Sequence, residues 1–148
     1  GGLPKNYALA LVWFTKAVEQ GCETSMCSIA AIYREGGHGV ARSMETAFCW
    51  DRKAAEKGSS SGQYFLGMCH YKGCGVTKSL MAARHWFQKS ADQDQGSAQR
   101  ELGMMLMKGE GGGQDAEEAV SLWRKAATQG DKQAQGFLEK LKTVHFRD

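Results

Sequence analysis

Five cysteines and four histidines are the side chains in this sequence best suited to hold a metal or attack a substrate. Cys69, His70 and Cys74, taken with Cys22 and Cys27, offer the soft ligands a tetrahedral zinc ion prefers. Their spacing argues against convergence. In the repeating register described below, Cys27 stands near the start of its helix, while Cys69 stands near the end of the next equivalent one, five residues further along the unit. That offset is ~7 Å of helix rise and ~140° of rotation. Ordinary packing or exposed thiols is the reading adopted, and neither metal nor cofactor is expected. The run Gly58-Ser59-Ser60-Ser61-Gly62 precedes a helix and could cradle an anion with its backbone N–H groups. It lacks the Gly-Lys-Ser/Thr ending of a nucleotide loop. An inter-repeat turn with a serine cap accounts for it more simply. His38, His70, His85 and His145 fall in different units, so no nucleophile and base pair is evident. His70 reads as a packed or hydrogen-bonded structural residue.

Binding offers a better use of the available chemistry. On one set of helices, the side opposite the packing stripe carries Thr24, Ser28 and Ala31, then Tyr64, Phe65, Met68 and Lys72, then Arg100, Glu101, Met104 and Lys108, then Gln133, Phe137 and Lys140. Aromatic residues dominate interface energetics, and methionine adapts to varied partners. The expected partner-binding residues are therefore Tyr64, Phe65, Met68, Lys72, Arg100, Met104, Lys108 and Phe137. The competing account is that Phe137 packs at the array end and that Tyr64 and Phe65 touch adjacent helices.

The elements that must position these residues are repeated. Ala10 to Lys16, Ala47 to Lys53, Ala83 to Lys89 and Ala119 to Lys125 align without gaps, their lysines 37, 36 and 36 residues apart. Ile29, Leu66, Leu102 and Leu138 keep the same intervals. A period of this length is the signature of a solenoid. Each unit has two apolar stripes. In the helix termed B, Ala10, Trp13, Phe14 and Ala17 share one face, as do Ala47, Trp50 and Ala54, and Ala83, Trp86 and Phe87. In the helix termed A, Leu66-Gly67 and Leu102-Gly103 pair a large residue with a missing side chain, allowing a neighbouring helix to come close. Helices of this length are marginal alone, so each unit is expected to bury its tryptophan and leucine against its neighbours.

Glycine punctuates the chain, which contains a single proline, Pro4. Gly36 to Val40, Gly73 to Val76 and Gly109 to Gly112 lie between helices A and B. Gly21, Gly58 and Gly130 mark the return turns. Asp94 replaces the glycine of the third return, and a strained turn is expected there. Ser43, Ser79 and Asp115 are expected helix caps, with Asp115 and Glu118 at capping-box spacing.

Composition limits the remaining classes. Of the 148 residues, 42% are hydrophobic and 24% charged, which excludes a disordered tail. No apolar run approaches a membrane span. The net charge of +3 is dispersed without a basic block, so nucleic acid is not an expected partner. An odd number of cysteines precludes complete internal pairing and leans towards a reducing compartment such as cytoplasm. One domain over 1–148 is expected: a partial unit 1–21, repeats at about 22–58, 59–94 and 95–130, and a terminal helix 131–148. Gly2-Leu3 looks like the tail of a Gly-x-Gly-Val loop, which suggests an upstream helix in a longer protein. Lys142, His145 and Arg147 suit a polar terminal cap. The first helix, around Leu9, Val12 and Phe14, could promote self-association.

The strings Leu66-Gly67 with Tyr71, Gly73-Cys74-Gly75-Val76, and Ala47-Phe48-Cys49-Trp50-Asp51-Arg52-Lys53-Ala54-Ala55-Glu56-Lys57-Gly58 resemble the Sel-one-like repeat family, a relative of the tetratricopeptide repeats. The likeness covers almost the whole chain. It departs at Leu122, where tryptophan is expected and Trp123 follows, and at Gly112, which stands where Val40 and Val76 stand. The resemblance implies an all-α, right-handed α/α superhelical solenoid of antiparallel helix pairs with the A helices on the concave side. It further implies a non-enzymatic scaffold or adaptor that binds a protein or peptide. The rim lysines and arginine would favour acidic partners. A cysteine-rich branch of the family is associated with penicillin binding or β-lactamase activity, but its regular cysteine pairs are not reproduced here. A structural spacer within a longer array is the other alternative.

Overall fold

The computed structural model describes residues 6–145, which form eight α-helices and no strand. The helices are α1 (Tyr7–Glu19), α2 (Thr24–Glu35), α3 (Met44–Glu56), α4 (Ser60–Lys72), α5 (Leu80–Ala91), α6 (Gly96–Lys108), α7 (Ala116–Thr128) and α8 (Lys132–His145). Odd-numbered helices correspond to helix B and even-numbered ones to helix A. The chain divides into two compact units, Gly1–Lys78 with α1 to α4 and Ser79–Asp148 with α5 to α8. Within each, consecutive helices pack against one another. The Gly2-Leu3 loop tail and Arg147 lie outside the described residues.

Local sequence sets the helix boundaries. Ser43 accepts from the Thr46 backbone N–H at 3.1 Å, Ser79 from Ala82 at 3.2 Å and Asp115 from Glu118 at 2.9 Å, so all three expected caps form. The reciprocal half of a capping box is not what occupies the Asp115 N–H, which donates to the Leu106 carbonyl at 3.0 Å. Ser43 N–H donates likewise to Tyr33 O at 2.8 Å. In both places the helix B start is tied to the end of the preceding helix A. Asp94 has a φ of 59°, a left-handed conformation that its glycine counterparts Gly21, Gly58 and Gly130 adopt without a Cβ clash.

In the first unit, Met26, Ile29 and Ile32 of α2, Ala47 and Ala54 of α3, and Leu66 of α4 are buried. In the second, Phe87 of α5, Leu102, Met105 and Leu106 of α6, and Trp123 of α7 play this part. Each of the buried Met, Ile, Leu and Phe side chains stabilises its unit by roughly 1.5 to 3 kcal/mol, and each alanine by less. Gly103 shows what the glycine of Leu102-Gly103 provides, since a Cβ there would lie 2.5 Å from Trp123 Nε1.

The tryptophans correct the expected stripe. Trp13 is 63% exposed, and Trp50 and Trp86 are only half-buried. The lysine three residues on stands over each ring: Lys16, Lys53 and Lys89 ammonium groups lie 5.5, 4.4 and 4.9 Å from the respective centroids. The residue after the tryptophan position is the more enclosed one, and in register these are the half-buried Phe14 and the buried Asp51, Phe87 and Trp123. Leu122 and Trp123 thus keep the register, with Leu122 in the tryptophan position and Trp123 in the interior row. A Cβ at Gly112 would meet Arg84 Nη1 at 2.7 Å, at the tip of a flexible side chain, and that guanidinium donates to Gly113 O at 2.8 Å.

Candidate recognition surface

The α4 face expected to bind partners has an ordered aromatic floor. Tyr64 and Phe65 meet edge to face with centroids 5.1 Å apart, and Met68 beside them is half-buried. Leu66, Gly67 and Cys69, on the other side of the helix, are buried. Lys72 at the end of α4 is exposed.

Beneath Phe65 the structure reveals a constellation that the sequence reading missed. The Arg34 guanidinium of α2 lies 4.1 Å from the Phe65 ring centroid and donates from Nη2 to Asp51 Oδ2 of α3 at 2.6 Å. Asp51 is completely buried, and its Oδ1 has no hydrogen-bond partner. Burial pushes its carboxyl up to about 6 against the opposing pull of Arg34. The legible signal was a carboxylate standing in the row Phe14, Phe87, Trp123.

On α6 the expected contact residues divide. Met104 is half-buried against the cluster of Trp123, Ala126 and Ala134, and Lys108 is exposed, 4.0 Å from Glu110. Arg100 is not a free rim cation, because its Nη1 donates to Asp131 at 2.7 Å and its Nη2 to Glu101 at 2.8 Å. Its carbonyl in turn accepts from Trp123 Nε1 at 3.1 Å. Phe137 of α8 packs on the Trp123 ring with centroids 5.1 Å apart. Both residues therefore serve the packing of α6, α7 and α8.

All five cysteines are free thiols. Burial, followed by the nearby Asp51 charge, raises Cys69 to about 11, and burial also raises Cys27. Cys22, exposed at the start of α2, is lowered by hydrogen bonds from Ser25 and Thr24. Among the described residues, no group of three or more histidine, cysteine or acidic side chains is arranged to hold a metal. His70 is packed edge to face on Phe48 at 5.8 Å; its Nδ1 has no partner, and burial lowers its pKa. The Gly58 to Gly62 run is the expected turn, with Ser59 Oγ accepting from Gly62 N–H at 3.2 Å. Its outline also fits a Gly-x-Ser-x-Gly nucleophile turn centred on Ser60. That motif needs a strand leading into it, whereas here it joins α3 to α4.

This architecture defines the α/α repeat class, and comparison with known proteins narrows it. The Sel1 repeat model matches residues 1–22, 24–59, 60–95 and 96–131, and the chain belongs to the Sel1 repeat family. A protective antigen of uropathogenic Escherichia coli with this fold is similar at 30% identity over 91% of the chain, with a TM-score of 0.84. A Sel1 repeat protein from Oxalobacter formigenes is similar at 31% identity over 86%, with a TM-score of 0.81. The chain spans 29% and 52% of the lengths of these two proteins. Cysteine rich protein B of Helicobacter pylori is similar at 25% identity over 93% of this chain and 98% of its own, with a TM-score of 0.67. No curated protein matches the sequence. The fold is of a kind known as a protein-interaction scaffold, and no helix among the described residues is long and apolar enough to cross a membrane.

Proposed function

We propose that this chain is a non-catalytic scaffold that holds a protein or peptide partner on the exposed sides of its A helices. Tyr64, Phe65, Met68 and Lys72 of α4 are the principal contacts, and Met104 and Lys108 of α6 are a second group. The observation that carries the reading is the α4 surface: paired aromatic rings and a methionine remain partly open to solvent although the helix has fully buried its other side. Rigid aromatic anchors beside an adaptable thioether are what a partner segment needs to displace water and gain contact area. The exposed Lys72 and Lys108 favour an acidic partner.

The test is affinity capture from an extract of the source organism, followed by binding measurements with each purified candidate. The native chain is compared with a Tyr64→Asp, Met68→Asp, Met104→Asp variant shown to be folded by circular dichroism. Loss of at least about 2 kcal/mol of binding, some thirty-fold, is expected for a partner that uses this surface. Equal binding by both proteins would move recognition to the loops or the B helices. Failure of both to bind any candidate would favour a structural spacer.

A further inference from the structure

The position of Asp51 is costly and needs an explanation. Its counterparts Phe14, Phe87 and Trp123 are aromatic, and Phe87 and Trp123 are buried core residues of their unit. Asp51 has instead been drawn completely out of water for one partner, Arg34, whose own counterparts are Tyr71 and Met107. A buried ion pair is a weak stabiliser, and packed hydrophobic residues of similar volume often serve stability better. The pair therefore invites a role other than packing.

The geometry around Arg34 suggests one. One N–H of Nη2 is committed to Asp51; no acceptor among the described residues takes Nη1 or the second N–H of Nη2, which together form the end-on fork of the guanidinium. The side chain is 24% exposed, and the Phe65 ring covers one face of the guanidinium. Held by the carboxylate at one corner and the ring on one face, the fork loses little further freedom when it accepts an anion, the condition for a tight bidentate contact. Lys72, exposed at the end of α4, is a second positive charge on the helix that carries Phe65. Asp51 Oδ1 is buried without a hydrogen-bond partner, so the carboxylate is closed to an approaching ligand.

We propose that Arg34, oriented by Asp51 and Phe65, is a carboxylate-recognition point that receives an aspartate or glutamate side chain of an acidic segment lying along the α2 and α4 surfaces. Asp51 is a positioning residue here, and Arg34 makes the contact. This rests on the scaffold reading and deepens it by assigning the partner's chemistry at one place.

The test uses the full chain and a capped peptide, acetyl-Gly-Glu-Glu-Glu-Gly-amide, with its glutamine twin and an uncapped triglycine as controls. Binding is followed through the Arg34 Nε–H resonance and by calorimetry. A saturable shift of that resonance by the glutamate peptide alone is expected. Arg34→Lys, which keeps the charge but not the fork, should weaken binding several-fold. The double variant Arg34→Met, Asp51→Phe places side chains that other repeats use at these positions. It should fold, melt no lower than the native chain, and bind the peptide at least ten-fold more weakly. Equal binding by native and double-variant proteins, or no saturable shift, would overturn the proposal. A shift by triglycine but not by the glutamate peptide would overturn the side-chain source in favour of a terminal carboxylate. The scaffold reading is judged separately: if the double variant still holds a captured protein partner that the α4 and α6 aspartate variant releases, the scaffold stands without this contact.

Discussion

The indole Nε1 of Trp123 donates to the Arg100 carbonyl across a gap that exists only because residue 103 is glycine. One helix A backbone is thereby bonded directly to a helix B side chain. The same Arg100 sends its guanidinium to Asp131 at the start of the next repeat. Helices α6, α7 and the turn into α8 are thus joined through one residue.

Gly103→Ala is expected to destabilise the second unit by about 1 to 3 kcal/mol, because the new Cβ meets the indole at 2.5 Å and forces it off the Arg100 carbonyl. Urea unfolding followed by tryptophan fluorescence checks this, and an unchanged midpoint would refute it.

Asp51 makes stability depend on pH in a definite direction. Its folded pKa of about 6 lies above the ordinary value of 3.8, so the folded chain holds the proton more tightly. The burial penalty is absent below pH 3.8, grows as pH rises through this window and is complete above about 6. Its full size is about 3 kcal/mol. Asp51→Asn should flatten this part of the profile between pH 4 and 7. Chemical denaturation across that range, with native and variant chains side by side, measures the difference.

Asp94→Gly is expected to stabilise the α5 to α6 turn. Removing a Cβ at φ 59° relieves strain, partly offset by the greater freedom of glycine in the unfolded chain and by loss of the 3.4 Å contact from Gln99 Nε2. A net gain of about 0.5 to 1 kcal/mol should appear in thermal melts. A lower melting temperature would show that the aspartate side chain matters more than its backbone.

The thiols should react in a fixed order. Cys22 is exposed and its pKa is lowered, whereas Cys69 is buried and raised to about 11. With a limiting alkylating reagent at pH 7.5, mass spectrometry should find Cys22 modified first and Cys69 last, since the thiolate is the nucleophile. Labelling of Cys69 ahead of Cys22 would contradict this packing.

The repeat, its caps and its strained third return turn were legible because each depends on residues adjacent in sequence: Ser43 and Thr46, Ser79 and Ala82, Asp94 itself. The interior row was harder. A tryptophan followed by another bulky residue on a helix satisfies more than one rotation of the apolar stripe, and tertiary contacts chose the second residue, leaving Trp13, Trp50 and Trp86 outside under their lysines. The Arg34 and Asp51 pair lay in plain view once the repeats were aligned, but both residues have the composition of a solvated face, and only the packing of α2, α3 and α4 reveals their burial. Arg100 was misjudged for the converse reason, as its partner Asp131 stands in the next repeat.

Arg34 and Asp51 belong to the same repeat, 24–59, while the ring that covers the guanidinium comes from the following one. A duplicated or transplanted copy of that repeat would carry its charges wherever it was inserted, but the covering ring would depend on its new neighbour. Glu101 occupies the Phe65 position in the next A helix, and Phe137 occupies it in the last. Placed before the first of these, the arginine would acquire a second carboxylate; placed before the second, it would regain an aromatic cover. The units are thus alike in shape yet cannot be exchanged freely, and their order along the chain determines which arginine is left able to take a ligand.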